Sequence, residues 1–425
     1  MENPVGTMSS KKQIRVRGKP VAPATTRPAS ADSTSGPFQQ VARSTPFDMT
    51  FTLNPTHVSY ANSLRRAILT LVESVAFRAD IDSEGHTTDV KISKNSTPMS
   101  NEMLAHRIGL IPVHVSQPLT WKKEDYTFEI NVKNEDANPR DICAEDIVVN
   151  RIKKDEEPQV VPGKEFFHPD RVTQNTTLIT VLKGKHGTQA AEELVCSMVA
   201  TVGTGRENAR FIPVSQCSYS YTLDKTPEKM KKVFQDWLAS HKKVNVSELE
   251  SNSERKAELE REFNTMEIAR CFLQDENGEP YSFDFTLESV GVLSCDYIVG
   301  RALDVLQAKC LKYGGIDTGD LPANIEIRPA EARMRGYDFV FTGEDHTLGN
   351  LLQTYMEQNL MASGELTFVG YKVPHPLRDE MVLRVGIKSE DKTQIPAKQM
   401  IAKAARDCAE MFRNWRASWE LQKTS

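Results

Sequence analysis

The stretch Gly343–Met356, which reads GEDHTLGNLLQTYM, sets the fold of this chain. Its apolar residues recur at the spacing i, i+3, i+4, i+7 and i+8, which is typical of an amphipathic helix. Thr347 is predicted to cap this helix, and Glu344 and Asp345 bring negative charge to its positive end. We therefore predict a helix that lays one face on another surface. This face consists of Leu348, Leu351, Leu352, Tyr355 and Met356.

A second stretch, Ser59–Leu69 with the sequence SYANSLRRAIL, repeats this plan much earlier in the chain. A hydroxyl residue, a small residue, an asparagine and a leucine follow one another at the same spacing in both stretches. Because so specific a pattern recurs, we predict that the chain contains two copies of one fold. The corresponding residues are Ser59 and Thr347, Ala61 and Gly349, Asn62 and Asn350, and Leu64 and Leu352.

The composition is that of a soluble globular protein with more than one domain. A chain of 425 residues is too long for one compact core and predicts two or three domains. Hydrophobic residues make up 39% of the chain, which is ordinary for a globular protein. The net charge is -5, so the overall charge does not indicate nucleic-acid binding. No stretch has the roughly 20 apolar residues that span a bilayer, and the N-terminus lacks the apolar core of a signal peptide. We expect an intracellular protein that makes no membrane contact.

Residues 1–44 are predicted to be a disordered basic tail. They are rich in Ser, Thr, Pro and Ala, carry several Lys and Arg residues, and hold little that could be buried. A solvated tail is the preferred interpretation, and an arm for targeting or for nucleic acid is the alternative.

The first copy of the fold is predicted to occupy residues 45–115 and 211–313. Strand-like alternation begins at Pro46 and recurs in YSFDFTLESVGVL, and a strong helix with Leu303 and Leu306 on its apolar face follows. In the earlier helix, Arg65 and Arg66 lie off the apolar stripe, so they are predicted to face away from the core. Two arginines on a rigid helix can fork onto a carboxylate or a phosphate.

His106 and Arg107 are neighbours in the stretch NEMLAHRIGLIPVHV, which is predicted to be a short buried helix followed by an extended segment. No nucleophile or carboxylate lies at a useful spacing from His106. A structural or interface histidine is therefore favoured over a catalytic one.

Two segments interrupt the first copy. Residues 116–210 are predicted to form an inserted, mostly β domain, and residues 224–270, dense in Lys and Glu, are predicted to form one or two exposed helices. The loops at Gly184 and Gly203 contain glycines, but neither has the full pattern of a phosphate-binding or dinucleotide-binding loop. We therefore predict no nucleotide site.

The second copy is predicted to occupy residues 324–425, after a short flexible joint over residues 314–323. It offers strands, the helix described first, a hairpin that turns near Pro374, and a long final helix entered at Pro396. A half of this size cannot bury so much apolar helix surface alone, so the two halves are predicted to pack together with pseudo-two-fold symmetry. The face of the final helix includes Phe412, Trp415 and Trp419.

Several motifs resemble the two alpha-like assembly subunits of eukaryotic and archaeal DNA-directed RNA polymerases. ANSLRRAIL, AHRIGLIPV and DYIVGRALDVLQAK resemble the third subunit, whereas EDHTLGNLL, YKVPHP and the final helix resemble the smaller eleventh subunit. The resemblance covers most of the chain from Phe47 to Gln422. It implies an α+β protein in which two dimerisation modules, which are separate chains in the family, are fused into an intramolecular pseudo-heterodimer. Such a fusion resembles arrangements in large DNA viruses of eukaryotes, so we expect a viral source.

The resemblance also implies a function, that of a non-catalytic platform on which the two largest polymerase subunits and small assembly subunits associate. The protein would contact DNA and RNA only through the assembled complex. The implied location is a nucleus or a cytoplasmic viral factory, with packaging in the virion. No homo-oligomer is expected. The implied interface with the large subunits consists of Asn62, Arg65, Arg66, His106 and Arg107. The implied intramolecular dimerisation surface consists of Leu303, Leu306, Leu348, Leu351, Leu352, Tyr355, Phe412, Trp415 and Trp419.

We predict no catalytic residue, no metal site and no cofactor. Many third subunits bind zinc through four cysteines of the inserted domain, whereas here that region holds only Cys143 and Cys196. The seven cysteines form no C-x-C or C-x-x-C pair, which favours reduced thiols. The alternative function is a free-standing DNA-binding transcription factor that uses the basic tail. Specific DNA affinity of the isolated protein would distinguish the two functions.

Overall fold

The computed structural model describes residues 36–81, 87–152, 157–170, 172–244, 253–319, 321–330, 335–388 and 393–423. Residues 1–35 of the predicted tail and 245–252 of the predicted exposed insertion lie outside the described residues. The helices in these ranges are α1 (Val58–Thr70), α2 (Asn101–Gly109), α3 (Pro227–Trp237), α4 (Ser253–Glu262), α5 (Cys295–Leu311), α6 (His346–Asn359) and α7 (Ile395–Lys423). The strands are β1 (Phe38–Thr45), β2 (Asp48–Leu53), β3 (Glu73–Phe77), β4 (Val90–Asn95), β5 (Tyr126–Lys133), β6 (Arg140–Cys143), β7 (Val148–Arg151), β8 (Gln159–Val161), β9 (Leu178–Leu182), β10 (Glu193–Met198), β11 (Ala200–Thr204), β12 (Val214–Tyr221), β13 (Phe283–Ser289), β14 (Ile325–Pro329), β15 (Gly336–Thr342), β16 (Leu366–Lys372) and β17 (Glu380–Ile387).

The first antiparallel sheet has the strand order β1-β2-β13-β12, so the chain leaves it after β2 and returns at β12. Alternate residues of β2 and β13, such as Met49 and Phe285, enter a core because successive side chains of a strand point to opposite faces. Leu64 of α1 and Leu303 of α5 belong to the same core. This sheet with α1 and α5 is the first module.

The second antiparallel sheet has the strand order β14-β15-β17-β16. In both sheets the chain runs through two strands, a helix, two further strands and a long helix, and the fourth strand lies between the second and the third. This second sheet with α6 and α7 is the second module. The two modules therefore share one topology, although their connections differ greatly in length.

Between α1 and β12 the chain forms an inserted domain with a core of its own. A five-stranded sheet of order β4-β10-β5-β7-β8 lies beside the strand pairs β6–β9 and β3–β11. The β3–β11 ladder runs from Phe77 opposite Ala200 to Glu73 opposite Thr204, so it carries the chain into and out of the insertion. Leu104 and Ile108 anchor α2 on this core. The insertion is mostly β.

A second, helical insertion lies between β12 and β13. Helix α3 continues into a π-helical turn at Leu238–Lys242, and α4 follows. Almost every side chain of α4 is exposed apart from Leu259. A small separate core holds the two helices together, and it consists of Trp237, Leu238, Leu259 and Phe263.

The long helices exchange their ends between the modules. The first part of α7, which includes Ala397 and Ile401, belongs to the core of the second module, whereas Phe412 and Trp419 belong to the core of the first. Conversely, Tyr313, just after α5, is buried in the core of the second module. Each module thus completes the core of the other.

Two predicted boundaries need correction at the start of the chain. The basic tail cannot extend to residue 44, because β1 begins at Phe38, whose side chain is only 1% exposed. The inserted domain starts before residue 116, because β4 pairs with β10 and the apolar residues of α2 face the same core. Both boundaries were missed because the partner that covers each segment, β2 for β1 and β10 for β4, is known only from the sheet pairing.

Two further corrections concern the second half. The predicted flexible joint is packed: Ile316 is 1% exposed, and Arg406 Nη1 donates to the Gly314 carbonyl at 2.5 Å and to Asp317 Oδ1 at 3.0 Å. The N-cap of α6 is Asp345 rather than Thr347, because Asp345 Oδ1 accepts the Thr347 N–H at 2.8 Å.

Candidate functional site

Helices α1 and α6 meet at the boundary between the modules through Arg66. Its Nη2 donates to Asp345 Oδ2 at 2.9 Å, and its Nε donates to Thr347 Oγ1 at 2.8 Å. Because the cap of α6 uses the other oxygen of Asp345, Oδ2 is left for the guanidinium. One carboxylate therefore caps a helix and pairs with a cation of the other module.

The opposite ends of the same helices make an equivalent contact. Thr354 Oγ1 donates to Ser59 Oγ at 2.7 Å, and both side chains are buried. Helix α1 is capped by His57, whose Nδ1 accepts the Ser59 N–H at 3.2 Å. Relative to the caps His57 and Asp345, Ser59 holds the place of Thr347, and Arg66 holds the place of Thr354. The two contacts are thus related as in a two-fold interface, with an ion pair on one side only.

The two caps respond differently to burial. Burial by itself raises the pKa of Asp345, but hydrogen bonds from Thr347 and the charges of Arg66 and Lys309 outweigh it and hold that pKa below its usual value. Asp345 is therefore ionised near neutral pH, as its ion pair requires.

Burial lowers the pKa of His57, against the attraction of the carboxylates of Glu279, Glu357 and Asp275. The neutral imidazole leaves Nδ1 able to accept the Ser59 N–H, whereas a protonated ring could only donate. The cap of α1 thus depends on a neutral His57.

A buried network joins the end of α5 to the start of α6. Lys309 pairs with Glu344, and the two side chains are only 12% and 5% exposed. Tyr313 Oη donates to Glu344 Oε1 at 2.8 Å and accepts from Asn324 Nδ2 at 2.9 Å. Burial raises the pKa of Tyr313, so its hydroxyl stays protonated and can donate.

A third cation of the first half reaches the second module from the loop after β11. Arg206 Nη2 lies 2.5 Å from Asp379 Oδ1, and Nη1 donates to the Gly343 carbonyl at 3.0 Å. Around the start of α6, three cations of the first half therefore meet three carboxylates of the second. The pairs are Arg66–Asp345, Arg206–Asp379 and Lys309–Glu344.

The end of α7 packs on the first module mainly through aromatic and apolar contacts. The ring of Trp419 lies 4.8 Å from that of Phe38 and 5.7 Å from that of Phe51, measured between centroids. Its Nε1 donates to the Asp296 carbonyl at 3.1 Å, so the buried indole N–H is satisfied. Arg416 pairs with Asp304 at 3.1 Å beside this contact.

The predicted dimerisation residues divide between the cores of the two modules. Leu348 and Leu352 pack within the core of their own module, and Leu351 belongs to the core of the first. Tyr355 touches both cores, and its hydroxyl donates to Asp407 Oδ2 at 2.5 Å. The other residues of the set lie in the first core, and they are Leu303, Leu306, Phe412, Trp415 and Trp419.

Of the two adjacent arginines, only Arg65 faces away from the second module. Its Nε and Nη2 both donate to Asn62 Oδ1, at 3.0 and 2.9 Å, so the amide fixes the guanidinium on the surface of α1. No hydrogen bond joins its Nη1 to another residue in the part of the chain that the structure describes. The prediction that Arg65 and Arg66 form one outward fork is therefore corrected for Arg66, which points into the module boundary.

His106 and Arg107 are exposed on α2, and their helix belongs to the inserted domain. Arg107 Nη2 donates to the Leu178 carbonyl at 3.0 Å. Within the described ranges, no hydrogen bond links this pair to Asn62 or Arg65. The five predicted interface residues therefore stand on two separately packed elements.

Sequence reasoning did not find Tyr313, Arg206, Ser59 or Thr354 as contact residues. The signal for Ser59 was its match with Thr347 in the other helix, whereas the hydrogen bonds themselves left none, because contacts between distant segments leave no periodic pattern. Glu344 was noted only as a charge at a helix start.

The described residues include no group of three or more His, Cys, Asp or Glu side chains that could hold a metal ion. Cys196 is buried, which raises the pKa of its thiol to about 12, and Cys143 is half-buried. In the described part of the chain no helix is both long and apolar enough to cross a bilayer.

The sequence pattern of the RNA polymerase Rpb3/Rpb11 dimerisation domain matches this chain twice. One match covers residues 50–310, more than half of the chain, and the other covers residues 337–417. The first therefore spans the inserted domain as well as most of the first module. The second begins in β15 and ends within α7.

Curated relatives match about three fifths to two thirds of the chain. Subunit Rpo3 of the DNA-directed RNA polymerase of Methanopyrus kandleri is 27% identical over 280 residues, which cover 61% of this chain and 88% of the relative. Subunit rpb3 of RNA polymerase II of Dictyostelium discoideum is 23% identical over 299 residues, which cover 62% and 89%. Subunit 3 of RNA polymerases II, IV and V of Arabidopsis thaliana is 24% identical over 314 residues, which cover 67% and 92%.

Proposed function

The chain belongs to the family defined by the RNA polymerase Rpb3/Rpb11 dimerisation domain, and on this premise we propose that it unites both alpha-like modules of one polymerase in a single chain. It is a non-catalytic assembly subunit of a DNA-directed RNA polymerase. The observation that carries the proposed union is the reciprocal contact of α1 and α6, in which Arg66 meets Thr347 and Thr354 meets Ser59. Contacts of this kind characterise the pairing of two like folds about a two-fold axis.

The proposed pseudo-heterodimer is supported by the exchange of helix ends. Trp419 completes the core of the first module, and Tyr313 completes that of the second. A covalent connection replaces a bimolecular step by an intramolecular one, at an effective concentration on the order of millimolar. Fusion would thus remove one association step from the assembly of the enzyme.

We propose domain limits that follow the cores. The first dimerisation domain would comprise residues 36–72 and 205–313, and the inserted domain residues 73–204, bounded by the β3–β11 ladder. The second dimerisation domain would comprise residues 314–423 and include the packed connection after α5. The helical insertion between β12 and β13 remains an excursion of the first domain.

The proposed partners are the two largest polymerase subunits, together with small assembly subunits. Arg65 is the proposed anchor for a carboxylate of a large subunit, because Asn62 orients its half-buried guanidinium on α1. His106 and Arg107 form a proposed second contact on α2, separate from the first. DNA and RNA would be met only in the assembled enzyme.

Arg65→Glu in the full chain tests this role. The variant should keep the unfolding midpoint of the wild type, because Arg65 makes no described contact with the second module, but it should no longer co-purify with the large subunits. Arg66 is left unchanged because its reversal would place a carboxylate against Asp345. Asn62→Ala, which frees the Arg65 side chain, should give an intermediate loss.

Arg413→Glu is the matched control, because Arg413 is an exposed arginine on α7. It should co-purify normally. Normal co-purification of Arg65→Glu would contradict the role of Arg65 alone. Failure of the wild-type chain to bring down any polymerase subunit would contradict the platform function itself.

A polymerase subunit acts where a DNA template is transcribed. We therefore propose an intracellular location, in a nucleus or in a cytoplasmic viral factory, and packaging in the virion. The viral source implied by the fusion stays a prediction. Purification of the polymerase from the native source, with identification of its chains, tests both.

A further inference from the structure

We propose that the one-sided ion pair between α1 and α6 selects an unlike module as partner and excludes the pairing of like modules between two copies of this chain. The inference rests on the proposed pairing of the two modules. It adds a reason why this chain pairs with itself internally rather than with a second copy.

The two-fold relationship of the contacts shows what each alternative pairing would bring together. In a pair of two first modules, Arg66 of one copy would face His57 and Ser59 of the other, in place of Asp345 and Thr347. Neither residue offers a carboxylate. The Arg66 side chain, 28% exposed, would lose water and gain no opposite charge, which disfavours this pairing.

A pair of two second modules would be disfavoured for the opposite reason. Thr354 would stand opposite Asp345, so the carboxylate would keep its cap but lose the guanidinium. Glu344, only 5% exposed, would lose Lys309, because that cation also belongs to the first half of the chain. An unpaired buried carboxylate is strongly unfavourable.

The ion pairs around this site all have the same polarity, with the cation in the first half of the chain and the carboxylate in the second. Arg66, Lys309 and Arg206 all belong to the first half, and their partners Asp345, Glu344 and Asp379 all belong to the second. At the start of α6, charge therefore distinguishes unlike from like pairing.

The test exchanges the two caps in the full chain, as the double variant His57→Asp, Asp345→His. Each cap position keeps a residue type that caps a helix in this protein, so both helices retain their caps. Unlike pairing now places Arg66 opposite a histidine, whereas two first modules can form two Arg66–Asp pairs. We expect the wild type to be monomeric, and the association constant for dimers of the variant to rise by about tenfold or more.

Light scattering after size exclusion, over a wide range of protein concentration, measures the mass. Ser63→Cys in both backgrounds identifies the pairing, because Ser63 lies midway along α1 between Ser59 and Arg66, which make the two related contacts. Like pairing should then give an interchain disulfide between the two Cys introduced at that site. The monomer should give none, because Leu351 holds the equivalent place in the second module.

The matched control is the double variant His57→Asn, Asp345→Asn, which keeps both cap acceptors and removes the charge. It should be less stable than the wild type and remain monomeric. The single variant His57→Asp keeps Arg66–Asp345 and should dimerise more weakly than the exchange, and it carries the test if the double variant fails to fold. Exchange variants that stay monomeric at every concentration, or dimers without the interchain disulfide, would overturn the proposal. None of these measurements involves another polymerase subunit, so failure of the platform function would leave their outcome unaffected.

Discussion

The hydroxyl of Tyr313 donates a 2.8 Å hydrogen bond to Oε1 of Glu344. Tyr313 follows the last helix of the first module, and Glu344 precedes the first helix of the second, so this bond joins the two halves at their shared core. Lys309 pairs with the same carboxylate. Because Glu344 is almost fully buried, partners supplied by the other half of the chain offset the cost of burying its carboxylate.

Lys309→Met should lower the free energy of unfolding by about 3–5 kcal/mol, because it leaves the buried carboxylate of Glu344 without its cation. Urea unfolding of the full chain measures this change. The double variant Lys309→Met, Glu344→Gln should recover most of the loss, since neither charge then remains. Lys403→Met, which removes the exposed pair with Asp407, is the control and should change stability by about 1 kcal/mol or less. A Lys309→Met protein as stable as the wild type would show that the pair is not needed.

Trp419→Ala should destabilise the protein by about 3–5 kcal/mol, because it empties a site between Phe38 and Phe51 that no other side chain fills. Trp419→Phe should lower the stability less, since it keeps an aromatic ring in the site but loses the indole N–H bond to the Asp296 carbonyl. Leu311→Ala, at a position 52% exposed on α5, should stay within about 0.5 kcal/mol of the wild type. Thermal unfolding of the three variants compares them, and equal losses in Trp419→Ala and Leu311→Ala would contradict the shared core.

Gly349→Ala should destabilise the protein although alanine favours helices by about 1 kcal/mol over glycine. A Cβ at this position would lie 2.4 Å from Cδ2 of Tyr371, too close for the ring to remain in place. We expect a net cost of about 1–3 kcal/mol from the resulting shift. Gly315→Ala, where an added Cβ meets nothing within 4 Å, is the control and should be nearly neutral. Chemical unfolding of the variants measures the change in stability. A Gly349→Ala protein more stable than the wild type would mean that β16, which carries Tyr371, can shift at little energetic cost.

Stability should fall as the pH drops below 6.5, in part through His57. Its pKa is lowered in the folded state, so the folded protein favours the neutral ring more than the unfolded chain does. The stabilisation is therefore complete above the unfolded pKa of 6.5 and is lost as the pH falls from there toward the lower folded pKa. Burial and the neighbouring His168 also lower the pKa of His114, so it acts in the same direction.

His57→Asn should reduce this pH dependence, because asparagine keeps an acceptor for the Ser59 N–H but does not titrate. Unfolding midpoints of the variant and the wild type, taken above and below pH 6.5, measure the difference. Gln189→Ala, at an exposed position without a titratable side chain, is the control and should leave the profile unchanged. An unchanged profile in His57→Asn would exclude the cap as a source.

Much of the α6 region could be predicted from its sequence. The apolar spacing from Leu348 to Met356 indicated a helix with one buried face, and all four aliphatic residues of that face are buried. The same pattern in α1 identified the matching helix. The cap was misplaced by two residues, because Asp345 and Thr347 are both good cap residues and only the backbone geometry distinguishes them.

The sequence by itself determined which faces of the helices and strands are apolar, that one pattern occurs twice, and the motifs through which the family resemblance appeared. Only the tertiary structure decided what covers each face. Adjacent residues of a helix point about 100° apart, so Arg65 and Arg66 meet different surroundings although the sequence treats them alike. Leu351 likewise packs into the first module, whereas Leu348 and Leu352 pack into the second. Periodicity reports burial, which is a property of one segment, while contacts depend on where a distant segment lies. For that reason GEDHTLGNLLQTYM predicted a helix with a partner, but the partner of each residue became known only in the folded chain.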